Sequence, residues 1–160
     1  MRAVVFALVS RISQRAYGTV TSIIRQASQK AQMLHNQELQ QVETEAIAAS
    51  EFWSFVKKKQ KHCRPGELEV GDCWIGLSLA QTSGLILSAR VGKHTDEFLT
   101  ELIVTSEGKT DCRESHTDSR KGYERVLPIE ADHYITKALT QRLERTNGTL
   151  RQQTGRWHRR

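Results

Sequence analysis

Hydrophobic positions along this chain follow two different periods. Up to residue 49 they recur at helical spacing. Val20, Ile23, Ile24, Ala27, Ala31 and Leu34 make one stripe, and Arg25, Gln26, Lys30 and Gln37 occupy the other side. Thr19, after Gly18, is the expected helix cap. A turn at Gly18 followed by a helix presenting Thr21, Ser22 and Arg25 has the form of the second half of a helix-turn-helix; a linker helix that packs on a partner fits the same pattern.

The composition changes near Ala49, and from Phe52 the period becomes that of strands. Phe52-Trp53-Ser54-Phe55-Val56 is aromatic and β-branched, lysines follow at 57, 58, 59 and 61, and Arg64-Pro65-Gly66 breaks the run. Cys73, Ile75, Leu77 and Leu79 alternate on one strand. After a turn at Gln81 to Gly84, Leu85, Leu87, Ala89 and Val91 alternate on another. Strands this closely joined predict an antiparallel meander. His94 to Glu107 reads as a helix capped by Thr95, with Phe98, Leu99, Leu102 and Ile103 inward and Gly108 at its end. A short strand-like segment, Cys112 to Asp118, and a Gly122–Pro128 stretch read as a short helix or loop lead to a brief strand at His133–Thr136 and a last helix starting near Thr140. Two strands separated by a helix imply a parallel pair. The expected fold is therefore α/β, a mixed sheet flanked by helices and preceded by an N-terminal helical segment.

Length and charge narrow this picture. At 160 residues the chain suits one ordinary domain. A net charge of +6 and a pI near 9.5 favour polyanionic partners. Cys63, Cys73 and Cys112 are odd in number and widely spaced, which suggests buried thiols rather than a zinc knuckle or disulfide framework. The apolar start, Ala3 to Val9, lacks a small-x-small cleavage site and is followed by Arg11 and Arg15, so a signal peptide is not expected. No segment reaches the roughly 18 apolar residues of a membrane span.

Two carboxylates fall where strand ends and helix starts converge: Asp118, after Ser115-His116-Thr117, and Glu144, on the last helix. Hard divalent cations take oxygen ligands, and two magnesium ions can promote an in-line phosphoryl transfer. A turn cap and a favourable helix-start charge account for the same two residues structurally. Around Glu144 the chain is dense in cations and amides: Arg142, Arg145, Asn147, Arg151, Gln152 and Arg156. These side chains suit phosphate contacts and base edges; a solvated basic helix is the plainer alternative.

The stretch from Thr140 through Glu144-Arg145-Thr146-Asn147 to Gln153 resembles the C-terminal signature of transposases of the insertion sequence 1 family. His116-Thr117-Asp118 with Gly122-Tyr123-Glu124 is similar to that family's second acidic motif, and Ser50-Glu51-Phe52-Trp53-Ser54-Phe55-Val56 to its first. The resemblance implies a ribonuclease-H-like domain with an Asp-Asp-Glu triad, two Mg2+ ions, and cleavage and strand transfer at insertion-sequence DNA ends. The implied catalytic residues are Asp118 and Glu144, both metal ligands, with Ser50 at the position of the first aspartate. A serine hydroxyl is a much weaker magnesium ligand than a carboxylate. Glu51 is a possible surrogate only if a bulge or strand-end twist re-aims it, since neighbouring strand residues point to opposite faces.

Further departures are Ser119, Arg120 and Lys121, where the family has a glycine and an aromatic, and the absence of a zinc element and complete helix-turn-helix before residue 50. The expectation is a truncated and mutated copy: residues 1–49 a remnant DNA-binding region and linker, residues 50–160 the catalytic domain. The implied partners are element ends and target DNA, with a homo-oligomer on the DNA, no membrane, and a cytoplasmic, nucleoid-associated location. Three functions compete: an impaired transposase; an inactive DNA-binding fragment that interferes with an intact relative; and a helical adaptor built on residues 19 to 48, although no sustained heptad appears.

Overall fold

The structure is a computed structural model that describes residues 2–118, 121–136 and 140–154. It divides into two compact units. One comprises the N-terminal helices with the end of the last helix, and the other spans Gln41–Thr149.

In the first unit, α1 (Arg2–Ser13) and α2 (Tyr17–Glu38) are joined at Gln14–Ala16, where Gln14 takes a left-handed φ of 52°. Phe6 and Tyr17 meet across the junction, ring centroids 6.5 Å apart. The expected cap at Thr19 is not observed. The helix starts three residues earlier, after Ala16 and without a side-chain cap, and Gly18 lies in its first turn. Thr21 instead bonds back to the carbonyls of Tyr17 and Gly18. Of the predicted stripe only Val20 is buried, and Ile23 and Leu34 stand exposed. Among the described residues no helix is long and apolar enough to cross a membrane.

The second unit is built on a five-stranded sheet. Its strands are β1 (Ile47–Val56), β2 (Gly71–Ala80), β3 (Ile86–Gly92), β4 (Glu114–Thr117) and β5 (Asp132–Ile135), in the order β3-β2-β1-β4-β5. The first three form the expected antiparallel meander, and β4 and β5 run parallel to β1. This is the ribonuclease-H-like mixed sheet. Three helices accompany it: α3 (Asp96–Glu107), α4 (Lys121–Val126) and α5 (Gln141–Thr154). The sheet begins at Ile47, earlier than the change of period at Phe52. Ala46, Ile47, Ala48 and Ala49 are all buried, and small alanines carry no strand signature of their own.

Strand alternation sorts the core onto two faces. Ala49 packs with Phe98, Leu99 and Ile103 of α3 and Tyr123 of α4, while Ile47, Ala80 and Leu87 form a second cluster beside it. On the other face Ala48, Ser50 and Phe52 lie opposite Leu79, Leu77 and Ile75 of β2, and all six are buried. Leu143 of α5 is buried as well.

Helix α3 starts as its sequence requires. The Thr95 side chain accepts the Phe98 N–H, and Asp96 and Glu97 put negative charge on the first turn. Arg125 of α4 donates to both Asp96 oxygens, at 3.1 and 2.6 Å, and this hydrogen bond holds the exposed Asp96 carboxyl below its ordinary range.

The approach of α3 to the sheet depends on Gly76. A Cβ there would stand 2.9 Å from Phe98 Cζ and 3.0 Å from Leu102 Cδ2. Gly76→Ala is expected to lower stability by about 1–3 kcal/mol through overpacking, read as a lower urea midpoint with an unchanged slope.

Candidate active site

The parallel pairing of β1 with β4 fixes the centre of the site. Ile47, Ala48 and Ala49 pair with Ser115, His116 and Thr117. One step beyond the last pair, Ser50 continues β1 and Asp118 leaves the end of β4. Ser50 is buried, 8% exposed, and Asp118 is half-buried with Oδ1 withdrawn from solvent. Thr136 follows Ile135, the β5 partner of Thr117, and reaches the same level. Two of the positions singled out from sequence, Ser50 and Asp118, thus each follow directly on the last β1–β4 pair.

Glu144 is the fourth residue of α5. It is exposed, while Leu143 and Asn147 of the same helix are buried. Among the described residues no three His, Cys, Asp or Glu side chains gather into a metal-binding group. The residues singled out from sequence offer oxygen donors: the carboxylates of Asp118 and Glu144, the Ser50 hydroxyl, and the buried Asn147 Oδ1, which has no hydrogen-bond partner among the described residues. Such a set suits a hard cation that keeps several waters. It lacks a third carboxylate to bridge two ions.

Glu51 is not available to replace the missing carboxylate. The β1–β2 ladder is continuous from Ile47↔Ala80 to Val56↔Gly71, with no bulge to re-aim the side chain. Glu51 therefore points to the α3 and α4 face, opposite Ser50. There Tyr123 Oη donates to its Oε2 at 2.6 Å, and His94 Nε2 lies 3.0 Å from Oε1. The side chain is fully buried, and a buried carboxylate is tolerable only with such partners.

The cationic helix also differs from expectation at two positions. Arg142, expected on DNA, spends its guanidinium on the β2–β3 turn, donating to the carbonyls of Gln81, Thr82 and Ser83 at 2.8, 2.9 and 2.9 Å. The turn accepts it because residue 84 is glycine, with φ +77° and no Cβ to strike the guanidinium 2.5 Å away. Asn147, expected beside it, faces inward. Arg145, Arg151 and Gln152 are exposed, and Arg156 lies outside the described residues, as do Ser119 and Arg120.

Two polar groups take partners that were not foreseen from sequence. His116 is buried on the same face as Asp118, its Nε2 2.6 Å from Glu114 Oε1 and its ring stacked on Tyr134 at 5.3 Å. Period-2 alternation of Glu114, His116 and Asp118 along β4 was the available signal. The second is the Glu51–Tyr123–His94 group. Its signal was the same alternation, which turns Glu51 away from Ser50.

A five-stranded mixed sheet of this order, with an aspartate ending β4 beside the central strand and a glutamate on the helix after β5, defines the class of ribonuclease-H-like domains. Residues 46–160 match the family described as IS1 transposase, and the chain belongs to that family. No curated protein matches it. Among solved structures it is similar to a Mos1 transposase paired-end complex with the left transposon end. The likeness has 12% identity and a TM-score of 0.31, covering 89% of this chain and 52% of that one. The chain thus spans about half the length of that protein.

Two predictions arise from the polar groups. Tyr123→Phe removes the hydroxyl from a buried carboxylate and is expected to cost about 1–3 kcal/mol in chemical denaturation. The second concerns His133, whose Nε2 lies 2.7 Å from Thr117 Oγ1; burial, outweighing the pull of Glu124, holds its pKa below 6.5. The unfolded chain then binds the proton more readily. His133 contributes stability that is complete above pH 6.5 and is lost as pH falls below it toward the depressed folded value. His133→Gln is expected to flatten the loss of thermal stability between about pH 7 and 5; an unchanged pH profile contradicts this.

Proposed function

We propose that this chain acts on DNA as a transposase with a weakened metal centre. Asp118 and Glu144 would hold magnesium, Ser50 would stand where a first aspartate is needed, and cleavage and strand transfer at element ends would be slow. The observation that supports this reading is the β1–β4 register, whose last pair, Ala49↔Thr117, directly precedes Ser50 and Asp118. Bound there, magnesium supplies Lewis acidity to a phosphoryl oxygen and lowers the pKa of a bound water or hydroxyl.

The chain's own residues do the rest. Asp118 is held at the end of β4, one residue beyond a strand paired on both sides. Glu144 presents its carboxylate on the solvent side of α5, where a DNA strand has access. Exposed Arg145 and Arg151 offer phosphate contacts that orient the strand. Ser50 would contribute a neutral hydroxyl in place of a charge, so two carboxylates rather than three would hold the cation.

A second reading, an inactive DNA-binding fragment, draws on one observation. Glu51 is committed to Tyr123 and His94, so β1 supplies no carboxylate to the Ser50 face.

Nicking of supercoiled plasmid in Mg2+ and then Mn2+ separates the two. The expected outcome is weak or absent nicking by the natural chain and at least tenfold more by Ser50→Asp. Activity in the natural chain that Glu144→Ala abolishes would show that the serine is tolerated. If Ser50→Asp is also inert while duplex DNA still binds, the fragment reading holds.

A further inference from the structure

Strand β1 does not end at the candidate site. Its last pair with β4 is Ala49↔Thr117, yet it continues to Val56 alongside β2. β3 reaches β2 only as far as Trp74↔Gly92. The outer ends of β1 and β2 therefore form a two-stranded ribbon, carrying the chain roughly 20 Å beyond Ser50 at about 3.3 Å per residue.

The tip of this ribbon is cationic and ordered. Lys57, Lys58, Lys59, Lys61 and Arg64 stand against Glu67 and Glu69. Lys58 is paired with Glu67 at 2.6 Å, and Lys57, Lys59, Lys61 and Arg64 are exposed. Lys57 turns the chain out of β1 with a left-handed φ of 59°. Gln60 and Asp72 exchange backbone-to-side-chain hydrogen bonds across the ribbon at 3.0 and 3.2 Å, and the Arg64 N–H donates to Glu67 Oε2 at 2.7 Å. The lysines are thus mounted on a loop with a defined conformation.

Behind the lysines lies an aromatic surface. Trp53 and Phe55, two apart on β1, share the face opposite Ser50. Both are half-exposed, with ring centroids 5.7 Å apart, and Lys59 Nζ lies 5.5 Å from the Trp53 ring centroid.

We propose that this ribbon binds single-stranded nucleic acid, with bases stacking on Trp53 and Phe55 and the lysines at the tip holding phosphates. The excess of cations selects a polyanion. The paired rings select unpaired bases, because stacking on a side chain needs a base face that a duplex keeps covered. A base arriving on Trp53 displaces Lys59 from the ring and leaves its ammonium free to meet the adjoining phosphate. The surface is separate from the carboxylates and from the arginines of α5, so it operates whether or not the chain cuts DNA.

The test is fluorescence anisotropy of the full chain in EDTA, with a labelled oligo-dT strand and with the same strand paired to oligo-dA. Combined Lys57→Glu, Lys59→Glu and Lys61→Glu is expected to weaken strand binding at least tenfold. It should also reduce the slope of log affinity against log salt by about 2, at roughly 0.7 per single-strand phosphate contact. Trp53→Leu is expected to weaken strand binding about fivefold or more by removing one stacking contact, leaving duplex binding unchanged. Should Trp53→Leu not fold, the lysine variant, confined to exposed positions, decides alone. Unchanged strand affinity in variants of native circular dichroism overturns the proposal, and so does binding to anionic vesicles with none to the strand. Ribbon-dependent strand binding in a chain that never nicks plasmid sinks the enzyme reading and leaves this one standing. Nicking with strand binding indifferent to the ribbon does the reverse.

Discussion

Every feature of the second unit depends on β1 being central and free of bulges. It has β2 on one side and β4 on the other, and its first six residues are buried. A strand of that kind cannot choose where a side chain points, because successive residues alternate between faces. Ser50 is committed to one surface and Glu51 to the other. A one-residue slip would exchange them, along with every apolar partner from Ile47 to Phe52, so the cores on both faces oppose it.

The two faces solve their polar burdens differently. On the α3 and α4 face, several buried polar groups are closed into local hydrogen bonds, while Ser88 Oγ is buried there without a partner among the described residues. Glu51 is met by Tyr123 and His94, Ser78 and Ser106 share a hydrogen bond, and the Lys109 ammonium donates to the Leu87 carbonyl. Burial, with Arg90 nearby, depresses the Lys109 pKa. These bonds fasten α3 and α4 to the sheet and specify their positions, since a buried polar atom out of place is costly. On the opposite face, Asn147 Oδ1 and His116 Nδ1 are buried without hydrogen-bond partners among the described residues.

Sequence periodicity carried the meander, α3 with its Thr95 cap, and the last helix, because each has a strong apolar period and a local start signal. It did not reveal the true start of β1, where three alanines and an isoleucine are buried without a bulky strand-like pattern. Helix α4 was legible only as a short helix or loop; it is six residues long and takes its place from Tyr123 and the Arg125–Asp96 pair, both tertiary contacts. At the candidate site the positions of Ser50 and Asp118 could be read from motif order. The fates of Arg142 and Asn147 could not, since an arginine on a helix looks the same in sequence whether it meets a phosphate or three carbonyls of a turn 60 residues away. Glu51 is an intermediate case: alternation gave its face, and the structure supplied its partners.

The two sides of β1 also differ in how far apart along the chain their partners lie, and that bears on how the molecule folds. Val56 pairs with Gly71 across residues 57–70, far fewer than separate β1 from β4, so the meander closes more locally. Ile47 pairs with Ser115 only after β2, β3 and α3 have intervened. The entropy of closing that long loop is spent before the parallel pairing returns anything, which makes this step slow. The neighbourhood of Ser50 and Asp118 is therefore the last part of the sheet to be completed. A nascent or partly unfolded chain can hold an ordered lysine-tipped ribbon well before it holds a site.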